Sequence, residues 1–162
     1  MTGERVVVGV SGSLASLAAL RTAVTEARDS GRELTAVIAW DNPEGRALSA
    51  RNCNHGWTAK WREQARGRLD QAFDEALGGT PADVPVRKLA VRGKPGRVLC
   101  AVANAEGHVL VVGARSKARW APVRLYVRGH ARCQVLTVPG LMTPKRAVRE
   151  LRRVAAQDFI RL

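Results

Sequence analysis

Five short runs of β-branched and aliphatic residues restrict what this chain can become more than any other feature. They are Arg5–Val10, Glu33–Trp40, Val86–Val91, Val109–Val112 and Gln134–Val138. The first run is so continuously apolar that it leaves no wet face, so as a strand it needs cover on both sides. Segments with helical periodicity lie between the five runs. Leu14, Leu17, Leu20, Val24 and Ala27 recur after the first run, with Ser13 placed to cap that helix and Gly31 to stop it. Trp57, Trp61, Ala65, Leu69, Phe73 and Leu77 follow at four-residue steps and are expected to face the core. Val98, Leu99, Val102 and Ala103 are expected to face inward on a helix opened by Pro95, and a further helix is expected around Pro122–His130. Strands alternating with helices predict an α/β fold with one open parallel sheet covered on both faces. Arg87 and Lys88 place the third run near a sheet edge.

A length of 162 residues suits one core. The expected division is a domain over residues 1–140 and an appended basic amphipathic helix over 141–162. In that helix Val148, Leu151, Ala155, Phe159 and Leu162 line one side, and Lys145, Arg146, Arg149, Arg152 and Arg153 the other. No apolar run is long enough to span a bilayer, and the N-terminal residues lack the pattern of a signal peptide, so a cytoplasmic protein without membrane contact is expected.

The charge is unusual: 27 Lys and Arg against 14 Asp and Glu give +13. Such a field attracts polyanions, and Trp120 in a basic loop could stack on a base. No helix-turn-helix, RNP or zinc-finger pattern accompanies it, so any nucleic-acid contact is expected to be unspecific. The excess is spread along the chain, which favours a solvated basic surface. Cys53, Cys100 and Cys133 form no Cys-x-x-Cys, which argues against a disulfide framework or zinc cage. Cys100 reads as a buried structural thiol and Cys53 as an exposed one. His55, His108 and His130 fall in separate elements without metal-ligand spacing, and no serine sits in a G-x-S-x-G elbow. No catalytic or metal-binding residue is assigned.

Several stretches, taken in order, carry a resemblance. Val6-Val7-Val8-Gly9-Val10-Ser11-Gly12-Ser13 looks like a first strand and turn of the form V-G-V-D-G-S. Val37-Ile38-Ala39-Trp40 resembles the end of a second strand, and Val91-Arg92-Gly93-Lys94-Pro95 a V-x-x-G-x-P helix opening. Leu110-Val111-Val112-Gly113 matches L-V-V-G, and His130 to Val138 resembles H-A-x-C-P-V-L-V-V with Gln134 for the proline. From about Arg5 to Pro139 the chain resembles the universal stress protein family.

That resemblance implies sheet order 3-2-1-4-5, with ligand at the carboxyl ends of strands one and four where the order reverses. The candidate ligand-binding residues are Ser11, Gly12, Ser13, Ala39, Gly113, Arg115, Ser116 and Lys117. Family members that bind ATP place an Asp after strand one and G-x-x-G-x9-G-[ST] after strand four. Here Ser11 replaces the Asp, and Ser116 the second glycine. Tyr126-Val127 or Ala121-Pro122 stands at the Gly-Ser pair, according to the loop length assumed. Proline offers no N–H and a Cβ prevents close approach, so the phosphate cradle as the family builds it is lost. Arg115, Lys117 and Arg119 could hold an anion by charge instead. ATP or another anionic nucleotide is therefore expected to bind weakly at most, and no cofactor is assigned.

The resemblance further implies a homodimer in which the last strand, Gln134–Val138, pairs with its counterpart, and room for a protein partner. The C-terminal helix after Thr143 lies beyond the family domain and either joins that dimer interface or packs on its own domain. The resemblance points to a non-enzymatic stress-response or regulatory module. Ser11-Gly12-Ser13-Leu14-Ala15-Ser16 is similar, more distantly, to the S-G-G-x-D-S loop of N-type ATP pyrophosphatases. Ala15 stands where that loop has its acid, removing a Mg²⁺ partner and weakening the enzyme reading.

Overall fold

The computed structural model describes residues 3–41, 55–114 and 122–140. They form β1 (Arg5–Gly9), α1 (Leu14–Ser30), β2 (Glu33–Trp40), α2 (His55–Leu77), β3 (Val86–Arg92), α3 (Pro95–Val102), β4 (Val109–Ala114), α4 (Pro122–His130) and β5 (Gln134–Pro139). The five strands are all parallel, in the order β3-β2-β1-β4-β5. The expected architecture is therefore the observed one for these residues. The expected C-terminal helix and Cys53 lie outside them.

Strand pleating explains why β1 is apolar throughout. Val6 and Val8 point to one face, into a core with Leu20 and Val24 of α1 and Leu69 and Phe73 of α2. Val7 points to the other, against Val98 and Leu99 of α3 and Val127 of α4. Both sets are buried, as a central parallel strand requires. β3 is an edge strand, and Arg87 is exposed there. Lys88 faces α2, where its ammonium lies 4.5 Å from the Phe73 ring centroid and 2.7 Å from Asp70 Oδ1. The stem covers apolar surface while the charge finds a partner.

Two positions expected in the core are not. Leu14 is 65% exposed and Trp57 57% exposed. Each stands in the first turn of its helix, ahead of the part that lies on the sheet. On α2 the buried residues begin at Ala65, so the stripe continues beyond the surface it covers, and Trp61 is only half-buried. Cys100 and Cys133 are half-buried against the α3–α4 core. Desolvation pushes both thiols up from the usual cysteine range, which lowers their thiolate fraction. His108 is buried just before β4, at the opposite end of that strand from Gly113. His130 is exposed at the end of α4 and stacks on Tyr126, with ring centroids 4.0 Å apart. No helix among the described residues is long and apolar enough to cross a membrane.

The first turn of α1 is wedged against the ends of β4 and β5. A Cβ on Gly113 would enter the Ala15 carbonyl group and stand 2.8 Å from Ser16 N. A Cβ on Gly140 would stand 3.0 Å from Ala15 Cβ, and the Gly140 N–H donates to Ala114 O at 3.0 Å. Backbone cannot yield as a side chain can, so Gly113→Ala is expected to destabilise the fold by about 1–3 kcal/mol. Gly67→Ala, on α2 where an added Cβ meets nothing, is expected to be neutral or stabilising by up to about 1 kcal/mol. Denaturant melts of the two variants check this, and equal effects would contradict the packing account.

Arg28 near the end of α1 hydrogen-bonds and ion-pairs with Asp83 in the turn before β3. The hydrogen bond from Arg28 holds the Asp83 carboxyl below its ordinary value. A depressed carboxyl stabilises the fold above its unfolded pKa of about 3.9 and stops doing so as pH falls through the lower folded value. Both groups are exposed, so the effect is small. Asp83→Asn is expected to lower the Tm slightly at neutral pH, with the difference closing in acid, as melts across pH will show.

Candidate ligand-binding site

The carboxyl ends of β1 and β4 diverge where the strand order reverses, and a cavity of roughly 430 Å³ opens there. The size is ordinary for a small-molecule site. Its floor is apolar: Val37, Ile38, Leu99 and Val112 contribute from β2, α3 and β4. Ser11, Ser13 and Ser16 line the side formed by the β1–α1 turn.

That turn is built by local chemistry. Val10 donates its N–H to Val37 O at 2.9 Å, extending the sheet one residue past β1. Gly12 then takes a left-handed φ of 78°, which reverses the chain. Ser13 caps α1: its hydroxyl accepts from Ser16 N at 3.3 Å, and the Ser16 hydroxyl donates to Ser13 O at 2.9 Å. Ser11 Oγ lies 3.1 Å from Ser13 Oγ. Two hydroxyls are thus presented at the rim, each able to donate or accept.

In a parallel α/β sheet every connecting helix begins at the carboxyl edge, so α1, α3 and α4 start around this cavity. Ser13, Pro95 and Pro122 mark those starts and all line it. None of the three helices has an acidic residue in its first turn. Their positive ends are therefore uncompensated where they converge. Arg68 from α2 and Arg124 from the first turn of α4 also line the cavity, and no described lining residue is a carboxylate. The space is electropositive with an apolar floor, suited to an anion carrying an apolar or aromatic body.

Of the residues expected at the site, Ser11, Ser13, Ala39 and Gly113 line this cavity. Gly12 shapes the turn without lining the space. Gly113 has a packing duty as well, since α1 rests on it. Arg115, Ser116, Lys117 and Arg119 lie outside the described residues. Arg68 and Arg124 were not anticipated. Nothing local marks Arg68, one arginine among several on a long helix. Arg124 did carry a signal: a cation in the first turn of a helix opposes the helix dipole, and such a placement calls for an anion nearby.

The sequence profile of the Universal stress protein family matches residues 3–139. No curated protein sequence matches the chain. Solved structures do. Universal stress protein UspA from Lactobacillus plantarum is 20% identical with a TM-score of 0.63, over 83% of this chain and 97% of that one. A universal stress protein family protein from Arabidopsis thaliana with AMP bound is 17% identical with a TM-score of 0.52, over 88% and 95%. A universal stress protein in complex with cAMP is 22% identical with a TM-score of 0.52, over 85% and 97%. At such identities the likeness of structures shows the shared fold. The profile match from Gly3 to Pro139, on a sheet of order 3-2-1-4-5, shows that this chain belongs to the universal stress protein family.

Proposed function

We propose that this chain is a non-enzymatic ligand-binding module, whose altered version of the family's ATP site takes a nucleoside monophosphate in preference to a triphosphate. The observation that carries the reading is the electropositive cavity at the strand-order reversal, with its apolar floor and no carboxylate among its described lining residues. Relatives of the same fold have been solved with AMP and with cAMP, which supports the ligand class. The hydroxyl of Ser11 occupies the position where ATP-binding members place an aspartate. It accepts a hydrogen bond less strongly than a carboxylate, which weakens selection for the adenosine end. Ser116 adds a Cβ where the family's motif has its second glycine, and a proline aligned with the Gly-Ser pair offers no N–H to a triphosphate.

The serines are poor nucleophiles by themselves. Among the described lining residues no imidazole, thiol or carboxylate stands beside Ser11, Ser13 or Ser16 to take a proton. That supports a binding role, and with it a regulatory one. The homodimer belongs to the same proposal. Among the described residues β5 pairs with β4 alone, so its outer row of backbone N–H and C=O groups is open to a second copy of the strand. Val135, Leu136 and Val138 are half-exposed along it.

Calorimetry with AMP, ATP and GTP at low and high salt tests the ligand reading. AMP is expected to bind more tightly than ATP, with little preference for adenine over guanine among the triphosphates and a clear loss of affinity as salt rises. ATP binding that is selective over AMP and GTP and indifferent to salt would contradict it.

A further inference from the structure

Two arginines line the same cavity from opposite faces of the sheet. Arg68 comes from α2, which packs with α1 on one face. Arg124 comes from α4, which packs with α3 on the other. The ends of β1 and β4 and the first turn of α1 lie between them. Arg124 Nε is buried and has no hydrogen-bond partner among the described residues. An unpaired buried N–H on a charged group is costly, and its place at the positive end of α4 adds to that cost.

Several other cations among the described residues are paired. Arg5 pairs with Glu33, Arg28 with Asp83, Arg32 with Glu4 and Lys88 with Asp70. Neither Arg68 nor Arg124 forms an ion pair with a described residue, and no described lining residue of the cavity is acidic. Two planar fork donors without an ion-pair partner around one space suit a phosphate chemically, since its oxygens accept such forks in pairs.

We propose that Arg68 and Arg124 form a two-guanidinium clamp on the phosphate of the ligand in this cavity, supplying its countercharge without a divalent cation. The proposal rests on the reading of the cavity as a site for a phosphorylated ligand, and adds which residues hold the anion and by what means. A divalent cation at a phosphate site leans on one or two carboxylates as well as on phosphate oxygens, and the described lining offers none. The two jaws differ. Arg124 is half-buried and has less rotamer freedom to lose; Arg68 is exposed and gives up more on closing. The larger share of phosphate affinity therefore belongs to Arg124.

The test is equilibrium binding of AMP, adenosine and inorganic pyrophosphate to the full chain and to Arg68→Gln, Arg124→Gln and Arg124→Lys, each with EDTA and with magnesium chloride. Thermal melts establish that each variant is folded. Wild type is expected to bind AMP more tightly than adenosine, equally with EDTA and with magnesium. Arg124→Gln is expected to weaken AMP by about ten- to hundredfold, the loss of a hydrogen bond to a charged group, and to leave adenosine unchanged. Arg68→Gln is expected to lose less, and Arg124→Lys to fall between, since it keeps the charge without the fork. AMP binding that is the same in wild type and both Gln variants overturns the clamp and leaves the nucleotide reading standing. Loss of binding in EDTA overturns the metal-free claim. Pyrophosphate binding abolished by Arg124→Gln, with no affinity for AMP, keeps the clamp and removes the nucleotide reading. Wild-type protein that binds neither AMP nor pyrophosphate removes both. Should Arg124→Gln not fold, Arg68→Gln and Arg124→Lys carry the same comparison.

Discussion

The seating of α1 on the ends of β4 and β5 is the contact on which the rest of the site depends. Gly113 and Gly140 leave the first turn of the helix in near backbone contact with both strands. That approach fixes where Ser13 caps the helix, and so where the β1–α1 turn places Ser11. It also fixes the direction in which the positive end of α1 points. The cavity follows from the topology: β1 sends its connection to one side and β4 to the other, and the space between is left open at the carboxyl edge. A glycine that reads, from the family's motif, as a ligand contact is thus equally a packing requirement, and its presence alone says little about ligand.

Charge is what distinguishes this cavity from a generic crevice in an α/β sheet. Three helix starts converge on it without an acidic residue in any first turn. Each placement forgoes a stabilising interaction with the helix dipole of some tenths of a kcal/mol. Forgone three times at one place, and compounded by Arg124, these interactions leave the space positively biased, which is what the proposed anion would meet. The apolar floor of Val37, Ile38, Leu99 and Val112 asks that this anion carry something to bury.

The fold was legible because its signals are local and mutually consistent. Five apolar runs, helical stripes between them and turn residues at their joints all agree with one architecture. The periodic stripe misled where it outran the sheet, at Leu14 and Trp57 and in part at Trp61, because periodicity marks a face and not what covers it. The site was half legible. Ser11, Ser13, Ala39 and Gly113 sit at strand ends and turns, which sequence motifs record. Arg68 reaches the cavity from the middle of α2, and no short motif encodes a contact made by helix packing. Arg124 lies two residues after Pro122, in a stretch where the family's motif is written in glycines for their backbone N–H groups, so that motif does not mark a guanidinium there.

The central claim is that the space between the ends of β1 and β4 receives a phosphorylated ligand. Two-dimensional ¹H–¹⁵N NMR of the full chain, titrated with AMP, reports on it residue by residue. The account predicts that shifts concentrate at the amides of Ser11, Gly12, Ser13 and Gly113 and at the side-chain Nε–H of Arg124 and Arg68. Shifts scattered over the basic surface, at Arg21, Arg87 and Arg128 alike, or none near Ser13 and Gly113 at saturation, would contradict it.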